Sequence, residues 1–302
     1  MSIVSSDHNP GEKLLKLLVE RWLCNLSWSC SSLWKNIDLV NLPEFERVIY
    51  KRNPLVEVVC QLTFPPILKI SHQEPVEFQD EIRFQYPHFE TTKAQVPGEI
   101  IKIVQQFGLP LQSDIAYSFK SEDKRWNLSI TKDFIAINTS SYERYEQFKQ
   151  RFEEALEIFE RIYKPSFYTR VGLRYQDLII RSKLGIKDKS WSELIAKHIA
   201  SELHEPNLSS SIQTIVKNLV LRTENGQINL NHGLVTVKES QDSSDEIAYL
   251  FDADFYTEEK IKGNRDVWNV LNQFNQSAGR LFRWSITDTL HNAMQPQPVN
   301  SA

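Results

Sequence analysis

The stretch that decides the fold is residues 53–66, which read NPLVEVVCQLTFPP. Its β-branched residues are typical of a buried strand, and the two prolines at its end would stop that strand because proline cannot donate to a sheet ladder. A short helix is expected next, between Pro75 and Pro87. Charged turns then separate three segments, which predict an antiparallel meander: 115–120, 125–131 and 134–140.

A long amphipathic helix is predicted after the meander, over residues 145–163. Apolar residues recur there at spacings of three and four, which places them on one helix face. They are Tyr145, Phe148, Phe152, Leu156, Phe159 and Tyr163. Pro165 would end this helix because its ring cannot continue the helical backbone.

The same order of elements is then predicted a second time. It comprises a strand at 168–180, a helix at 190–203, strands at 211–222, 227–237 and 247–256, and a terminal helix at 266–293. We therefore predict an α+β fold with two β-α-β-β-β-α halves, residues 41–165 and 166–294. The halves would form antiparallel sheets, each with a long helix packed on one face. Residue identity does not repeat between the halves, so the alternative is one irregular α+β domain without symmetry.

The two ends of the chain differ from this pattern. Residues 1–40 hold two of the three cysteines and three of the seven tryptophans. This N-terminal extension is expected to be either a short amphipathic appendage or a stretch that is not translated natively, with the start codon at Val40. Residues 295–302, which contain two prolines, are predicted to form a flexible tail.

Composition limits the class of protein. The chain has 302 residues, a net charge of −4, 41% hydrophobic residues and 25% charged residues, as expected for a globular protein. The acidic balance gives no support for nucleic-acid binding. Cys24, Cys30 and Cys60 lack the spacing of a zinc site or a disulfide framework, which favours a reducing, cytoplasmic location. No stretch approaches the roughly 20 apolar residues that a membrane helix needs, so no membrane association is expected.

Chemical motifs are sparse. The sequence contains no phosphate-binding glycine loop, no nucleophile elbow and no helical pair of zinc-binding histidines, so we predict neither a cofactor nor a metal site. Asp288 and His291 on the last helix are three residues apart, as a base and its orienting acid could be. A more common reading is a helical histidine whose charged form is favoured by the helix dipole.

Asp252 and Asp254 form the first candidate pair, in the segment Leu-Phe-Asp-Ala-Asp-Phe. Side chains two apart on a strand point to the same face, so both carboxylates would project together. Convergent carboxylates can bind a divalent cation, although a solvated polar face is the more common outcome.

Arg170 and Arg174 form the second candidate pair, with Gly172 between them. Their shared face would have a spot free of side chains, suited to an anion or to a closely approaching backbone. The alternative is a cross-strand ion pair with Asp252, Asp254 or Glu57. If the two halves pair their sheets, one polar surface would carry the whole predicted binding site: Glu57, Gln61, Arg170, Arg174, Asp252 and Asp254.

The chain resembles a sporadically distributed, uncharacterised bacterial protein family. The resemblance rests on the opening stretch 53–66 and on two later ones, RVGLRY at 170–175 and LFRWSITDTLH at 281–291. It covers about 41–298 and leaves out the first 39 residues, as a late start codon would. The family's patchy distribution is similar to that of mobile defence or toxin–antitoxin loci.

These observations predict a non-enzymatic binding or interaction protein. The resemblance implies a role in a mobile defence or toxin–antitoxin cassette, with another protein encoded nearby as its partner. The alternative is a metal-dependent hydrolase or nuclease that uses Asp252 and Asp254 with a glutamate such as Glu57. The sequence does not predict an oligomeric state.

Overall fold

The strand predicted from residues 53–66 lies at the centre of a nine-stranded antiparallel sheet. The computed structural model describes residues 39–93, 115–238 and 245–299. The strands are β1 (Val48–Tyr50), β2 (Leu55–Thr63), β3 (His88–Lys93), β4 (Ile115–Lys120), β5 (Trp126–Ile130), β6 (Phe134–Thr139), β7 (Arg170–Ile179), β8 (Lys217–Thr223), β9 (Gly226–Val237), β10 (Glu246–Thr257) and β11 (Pro296–Pro298). The helices are α1 (Leu68–His72), α2 (Val76–Ile82), α3 (Tyr145–Tyr163), α4 (Arg181–Leu184), α5 (Asn264–Ser285) and α6 (Asp288–Ala293).

The large sheet has the strand order β3-β4-β5-β6-β2-β7-β10-β9-β8. Every neighbouring pair is antiparallel, and β2 and β7 meet in the middle with Cys60 opposite Leu173. The predicted α+β class with antiparallel strands is confirmed. Segments 41–165 and 166–294 contribute to this one sheet, and the described residues belong to one compact unit.

Both long helices pack on the same face of the sheet, called here the helical face. Phe152 of α3 meets Trp268 of α5 edge-on, with ring centroids 6.1 Å apart. Phe159 packs against Phe64 just beyond β2, at 5.2 Å. Alternate residues of the central strands fill the layer between sheet and helices, as the two-residue period of a strand requires. The opposite face carries the polar half of every central strand and is called the polar face.

The prediction of a helix at residues 190–203 is wrong. That segment instead contains the short 3₁₀ turns Trp191–Glu193 and Ser201–His204. Between them, Ile195 forms an antiparallel bridge with Ile286 just after α5. The backbone N–H of Ala196 donates to the carbonyl of Ser285 at 3.0 Å, so these groups bond to another segment and not within a helix.

The predicted terminal helix is divided in two by the same contact. The helix α5 ends at Ser285, and the Thr287 hydroxyl then caps α6 by accepting from the backbone N–H of Leu290 at 3.4 Å. The prediction of a flexible tail is also wrong in part. Residues 296–298 pair with β1, where Gln297 lies opposite Ile49, and the structure does not describe residues 300–302.

The predicted N-terminal extension falls outside the described residues, apart from Leu39 and Val40. The backbone N–H of Val40 donates to the carbonyl of Arg222 at 2.8 Å, at the end of β8. Within the parts of the chain that the structure covers, no helix is both long and apolar enough to span a membrane.

Candidate functional site

The six residues of the predicted binding surface all lie on the polar face. They alternate along their strands with residues of the core, so strand geometry sends them to the side opposite α3 and α5. They are Glu57 and Gln61 on β2, Arg170 and Arg174 on β7, and Asp252 and Asp254 on β10. These three strands are adjacent in the sheet, which brings the six side chains together.

The two arginines and two aspartates form cross-strand ion pairs. Arg174 binds Asp252 in a bidentate manner, with Nε–Oδ1 and Nη2–Oδ2 distances of 2.6 Å. Their side chains are 19% and 6% exposed. Arg170 Nη2 lies 2.8 Å from Asp254 Oδ2, in a pair whose side chains are 24% and 25% exposed. The charges of these two arginines and two aspartates are therefore already partnered.

A chain of hydrogen bonds extends these pairs across six strands. Asn138 of β6 donates to Glu57 Oε1 at 2.9 Å. With its amide oriented to satisfy both neighbours, Gln176 donates to Glu57 Oε2 at 3.1 Å and accepts from Arg174 Nη2 at 2.8 Å. Successive members of the chain are Ser118, Asn127, Asn138, Glu57, Gln176, Arg174 and Asp252. Burial raises the pKa of Glu57, against the opposing effect of the hydrogen bond from Asn138.

The spot beside Gly172 is not open, contrary to the expectation from sequence. The guanidinium of Arg170 lies over Gly172, in the volume that a Cβ would occupy. The same guanidinium stacks on the ring of Tyr256, 4.9 Å from its centroid. The missing side chain at Gly172 thus makes room for Arg170 itself, and the spot is closed to an anion.

A cavity of about 670 Å³ lies on the other side of the sheet, between the helical face, β1 and α5. Its floor is formed by β7 and β10, its near wall by residues 45–50, and one end by residues 142–146 at the start of α3. The far wall is one stripe of α5, on which Asn272, Asn275 and Gly279 follow one another at helical spacing. A Cβ at Gly279 would meet no atom within 4 Å, so this position leaves the cavity open.

Asp177 of β7 lines this cavity. It lies at a core-facing position of the strand, and the residue is 6% exposed. Among the described residues, no group forms a hydrogen bond or an ion pair with its carboxyl oxygens. Burial raises the pKa of Asp177 to about 8, and the nearby charge of Asp252 adds to the shift. The group is therefore a carboxylic acid at neutral pH, in contrast to an ordinary aspartate.

Aromatic and amide side chains surround Asp177. Tyr145 donates to Asn272 Oδ1 at 3.1 Å, and Tyr175 donates to Asn275 Oδ1 at 2.9 Å. The ring of Tyr142 meets that of Tyr175 edge-on at 5.9 Å. Burial raises the pKa of Tyr142 to about 12, so its hydroxyl stays protonated. The cavity thus combines apolar ring surface with a few convergent polar groups, which is typical of small-molecule sites.

The arginines that line the cavity already have acidic partners. Arg47 binds Glu146 in a bidentate manner, with N–O distances of 2.6 and 3.0 Å. Arg280 Nη2 lies 3.0 Å from Glu44 Oε1, and Arg283 pairs with Asp288. Glu46 and Glu143 also line the cavity but are exposed, so Asp177 is its buried acid without a counter-ion among the described residues.

Asp288 and His291 do not form a catalytic pair. His291 Nδ1 lies 2.8 Å from the hydroxyl of Tyr50, while Asp288 binds Arg283. Burial lowers the pKa of His291, and the charge of Arg283 acts in the same direction. The expected preference for a charged histidine at this helix end is therefore wrong.

Analysis of the sequence missed the cavity, although one signal pointed to it. In the strand around Arg170, the apolar positions Val171, Leu173, Tyr175 and Ile179 alternate toward the core, and Asp177 occupies one of those positions. Burying an acidic side chain costs free energy unless the group is paired, so an acid at a core position signals a partner or a ligand.

The polar face and the Asp177 cavity are the two arrangements from which an activity can be argued. They lie on opposite sides of β7, and the second contains the buried acidic group that lacks a partner among the described residues. No protein-family model matches the sequence, and a comparison with curated proteins finds no significant match.

Proposed function

We propose that the protein is a non-enzymatic binding protein that holds a small molecule in the Asp177 cavity. The observation that carries the proposal is a buried, unpartnered carboxyl group in the floor of a cavity of about 670 Å³. A buried polar group without a partner costs free energy, and a ligand that hydrogen-bonds to it would recover that cost. Perturbed acids in such cavities are concentrated at functional sites.

The polar face supports a binding role less well. A ligand there would have to compete with the pairs of Arg174 with Asp252 and of Arg170 with Asp254. Breaking a buried pair leaves an uncompensated charge, which is strongly unfavourable. A structural role explains the pairs better: they supply ionic and hydrogen-bond partners to the polar side chains of the three central strands.

The alternative of a metal-dependent hydrolase or nuclease is also less well supported. Asp252 and Asp254 direct their carboxylates at arginines, and three or more potential metal ligands are not clustered anywhere in the described ranges. Thermal melting with and without Mg²⁺ or Mn²⁺ tests this alternative. A stabilising shift that is lost in Asp254→Ala would favour the enzyme over the binding protein.

Two substitutions of Gly279 test the binding role. Gly279→Leu should fill the opening of the cavity, whereas Gly279→Ala adds one methyl group where no atom lies within 4 Å. Both should be tolerated because glycine is the poorer residue inside a helix. In a thermal-shift screen of a fragment library, fragments that stabilise the wild type and Gly279→Ala should fail with Gly279→Leu. A screen with no stabilising fragment, or with fragments indifferent to Gly279→Leu, would contradict the proposal.

We further propose, from the family resemblance, that the protein acts in the cytoplasm with another protein encoded nearby, in a mobile defence or toxin–antitoxin cassette. Affinity purification from native cells tests this part. Recovery of a neighbouring gene product in stoichiometric yield would support it, and purification of the protein alone would count against it.

We also infer that the chain arose by duplication of a β-α-β-β-β-α unit. The support is the mirrored strand order, in which β4-β5-β6-β2 on one side of the centre matches β8-β9-β10-β7 on the other. The first half has the additional strand β3, and the second half has 3₁₀ turns where a helix was expected. In an experimental structure, the four matched strands and the long helix of one half should superpose on those of the other. Failure to superpose would favour one irregular domain.

A further inference from the structure

The carboxyl group of Asp177 has no hydrogen-bond or ionic partner in the described part of the protein. Its carboxyl lines the cavity, so the unpartnered oxygens face a space that a ligand can enter. The arginines that line the cavity pair with other acids, among them Arg47 with Glu146 and Arg283 with Asp288. A cation can pair with the ionised carboxylate, and that charge-assisted bond is stronger than the hydrogen bond of a neutral ligand. An anion would be repelled by the ionised form. The unpartnered carboxyl group therefore favours a cation.

The walls around Asp177 suit an organic cation better than a bare metal ion. Edge-to-face ring contacts join Tyr50 to Phe282 at 6.1 Å and Phe282 to Phe251 at 5.7 Å. Together with Tyr142 and Tyr175, these rings line the cavity. Aromatic faces attract ammonium and guanidinium groups and also pack against hydrocarbon. A hard metal ion would need several more oxygen ligands than one carboxylate provides.

We infer that the cavity binds a small organic cation, an amine or a guanidinium compound, whose charged group pairs with Asp177 and whose hydrocarbon part packs against the aromatic walls. This inference rests on the proposed function and adds the chemical class of the ligand. The amide oxygens of Asn272 and Asn275 already accept from tyrosines, so the carboxyl group is the principal hydrogen-bond acceptor for the ligand.

Binding should displace a proton. The groups around Asp177 are Tyr50 on β1, Tyr142 before α3, Tyr175 on its own strand and Asp252 on the neighbouring strand. Burial raises the pKa of the first of these tyrosines to about 12, so it remains neutral. With a pKa of about 8, Asp177 is mostly protonated at pH 7. The incoming cation then releases about 0.9 proton per molecule bound at that pH.

Isothermal titration calorimetry of the full chain tests the inference. The probes are butylamine and butylguanidinium, with 1-pentanol as the neutral analogue and pentanoate as the anionic analogue. Titrations at pH 7 in phosphate and in Tris measure proton release. We expect both cations to bind, to release close to one proton, and to gain about tenfold in affinity between pH 6 and 7.

Asp177→Asn is the decisive variant, because asparagine keeps the shape of the acid without its charge. It should lower the affinity for both cations at least tenfold and abolish proton release. Asp254→Asn, on the polar face, is the matched control and should leave both quantities unchanged. Should Asp177→Asn fail to fold, Gly279→Leu provides a second variant that must abolish cation binding.

Each outcome decides the inference. Cation binding that is indifferent to Asp177→Asn, or that releases no proton, would overturn it. Binding of pentanol or pentanoate alone, lost in Gly279→Leu, would overturn the choice of ligand while leaving the binding role in place. No binding by any of the four probes would overturn the inference, and the fragment screen would then decide the binding role separately.

Discussion

Two buried aspartates on neighbouring strands of the central sheet differ in whether they have an ionic partner. Asp252 lies on the polar face of β10, and Asp177 lies one register step away on the helical face of β7. The first is held in a bidentate pair with Arg174, whereas the second faces a cavity without a partner. Both residues are buried. Two similarly buried acids thus differ in whether a ligand could reach an unpaired carboxyl group, because a described partner is present for Asp252 and not for Asp177.

The largest expected effect comes from removing the paired acid. Asp252→Ala leaves the guanidinium of Arg174 buried without its bidentate partner, and the free energy of unfolding should fall by about 3 to 5 kcal/mol. Urea denaturation at pH 7 measures it. Asp254→Ala, in a more exposed pair, should cost about 1 kcal/mol. Equal losses in the two variants would show that the more buried pair of Arg174 with Asp252 contributes no more to stability than the pair of Arg170 with Asp254.

A double substitution tests whether the two charges affect stability only as a pair. Arg174→Met combined with Asp252→Leu removes both charges together, so its stability should lie close to that of the wild type. A double variant as unstable as Asp252→Ala would mean that the two charges contribute independently of each other.

The unpaired acid, Asp177, should make the free energy of unfolding depend on pH. The pKa of Asp177 is about 8 in the folded protein and about 3.9 in an unfolded chain. The folded state therefore keeps a proton that the unfolded state loses, so this contribution to stability is complete below about pH 4 and is lost as the pH rises through about 8. The loss amounts to about 1.4 kcal/mol per pH unit between those values.

Asp177→Asn removes this dependence because asparagine does not ionise. Measured by urea denaturation, the stability of the variant relative to the wild type should rise by about 2.7 kcal/mol from pH 5 to pH 7. Other titrating groups contribute equally to both proteins. Parallel stability curves for the two proteins would contradict the assignment of a raised pKa.

The smallest expected effect concerns Gly172. An alanine Cβ would displace the guanidinium of Arg170 from its place above the glycine and weaken the pair with Asp254. Since the arginine side chain is flexible, Gly172→Ala should cost about 0.5 kcal/mol. In an Asp254→Ala background the same substitution should be neutral or stabilising. A cost that persists in that background would mean that the alanine strains the backbone and not the ion pair.

The parts of the fold that follow from local periodicity could be predicted from the sequence. The aromatic stripe of α3 marks both ends of that helix, Tyr145 and Tyr163. Alternation along the strands also places the six polar-face residues on one side of the sheet. In both cases the decisive interactions join residues close in sequence or repeat with a fixed period.

Elements that depend on distant backbone partners could not be predicted. The segment around Ile195 has a helical pattern, yet it bonds to the chain at Ile286, 91 positions away. Pro296 and Pro298 are typical of a tail, but a short edge strand tolerates them opposite β1. The Asp177 cavity is of the same kind, because its walls come from β1, β7, β10, α3 and α5, which meet only in the folded protein.

The protonation state of Asp177 tests the account most directly. In protein labelled with ¹³C at aspartate carboxyl groups, NMR titration should show one resonance with a midpoint near pH 8. That resonance should be absent from Asp177→Asn. If the resonance assigned to Asp177 titrates below about pH 5, as an ordinary aspartate does, then the acid is solvated or paired and the proposed cation site would be contradicted.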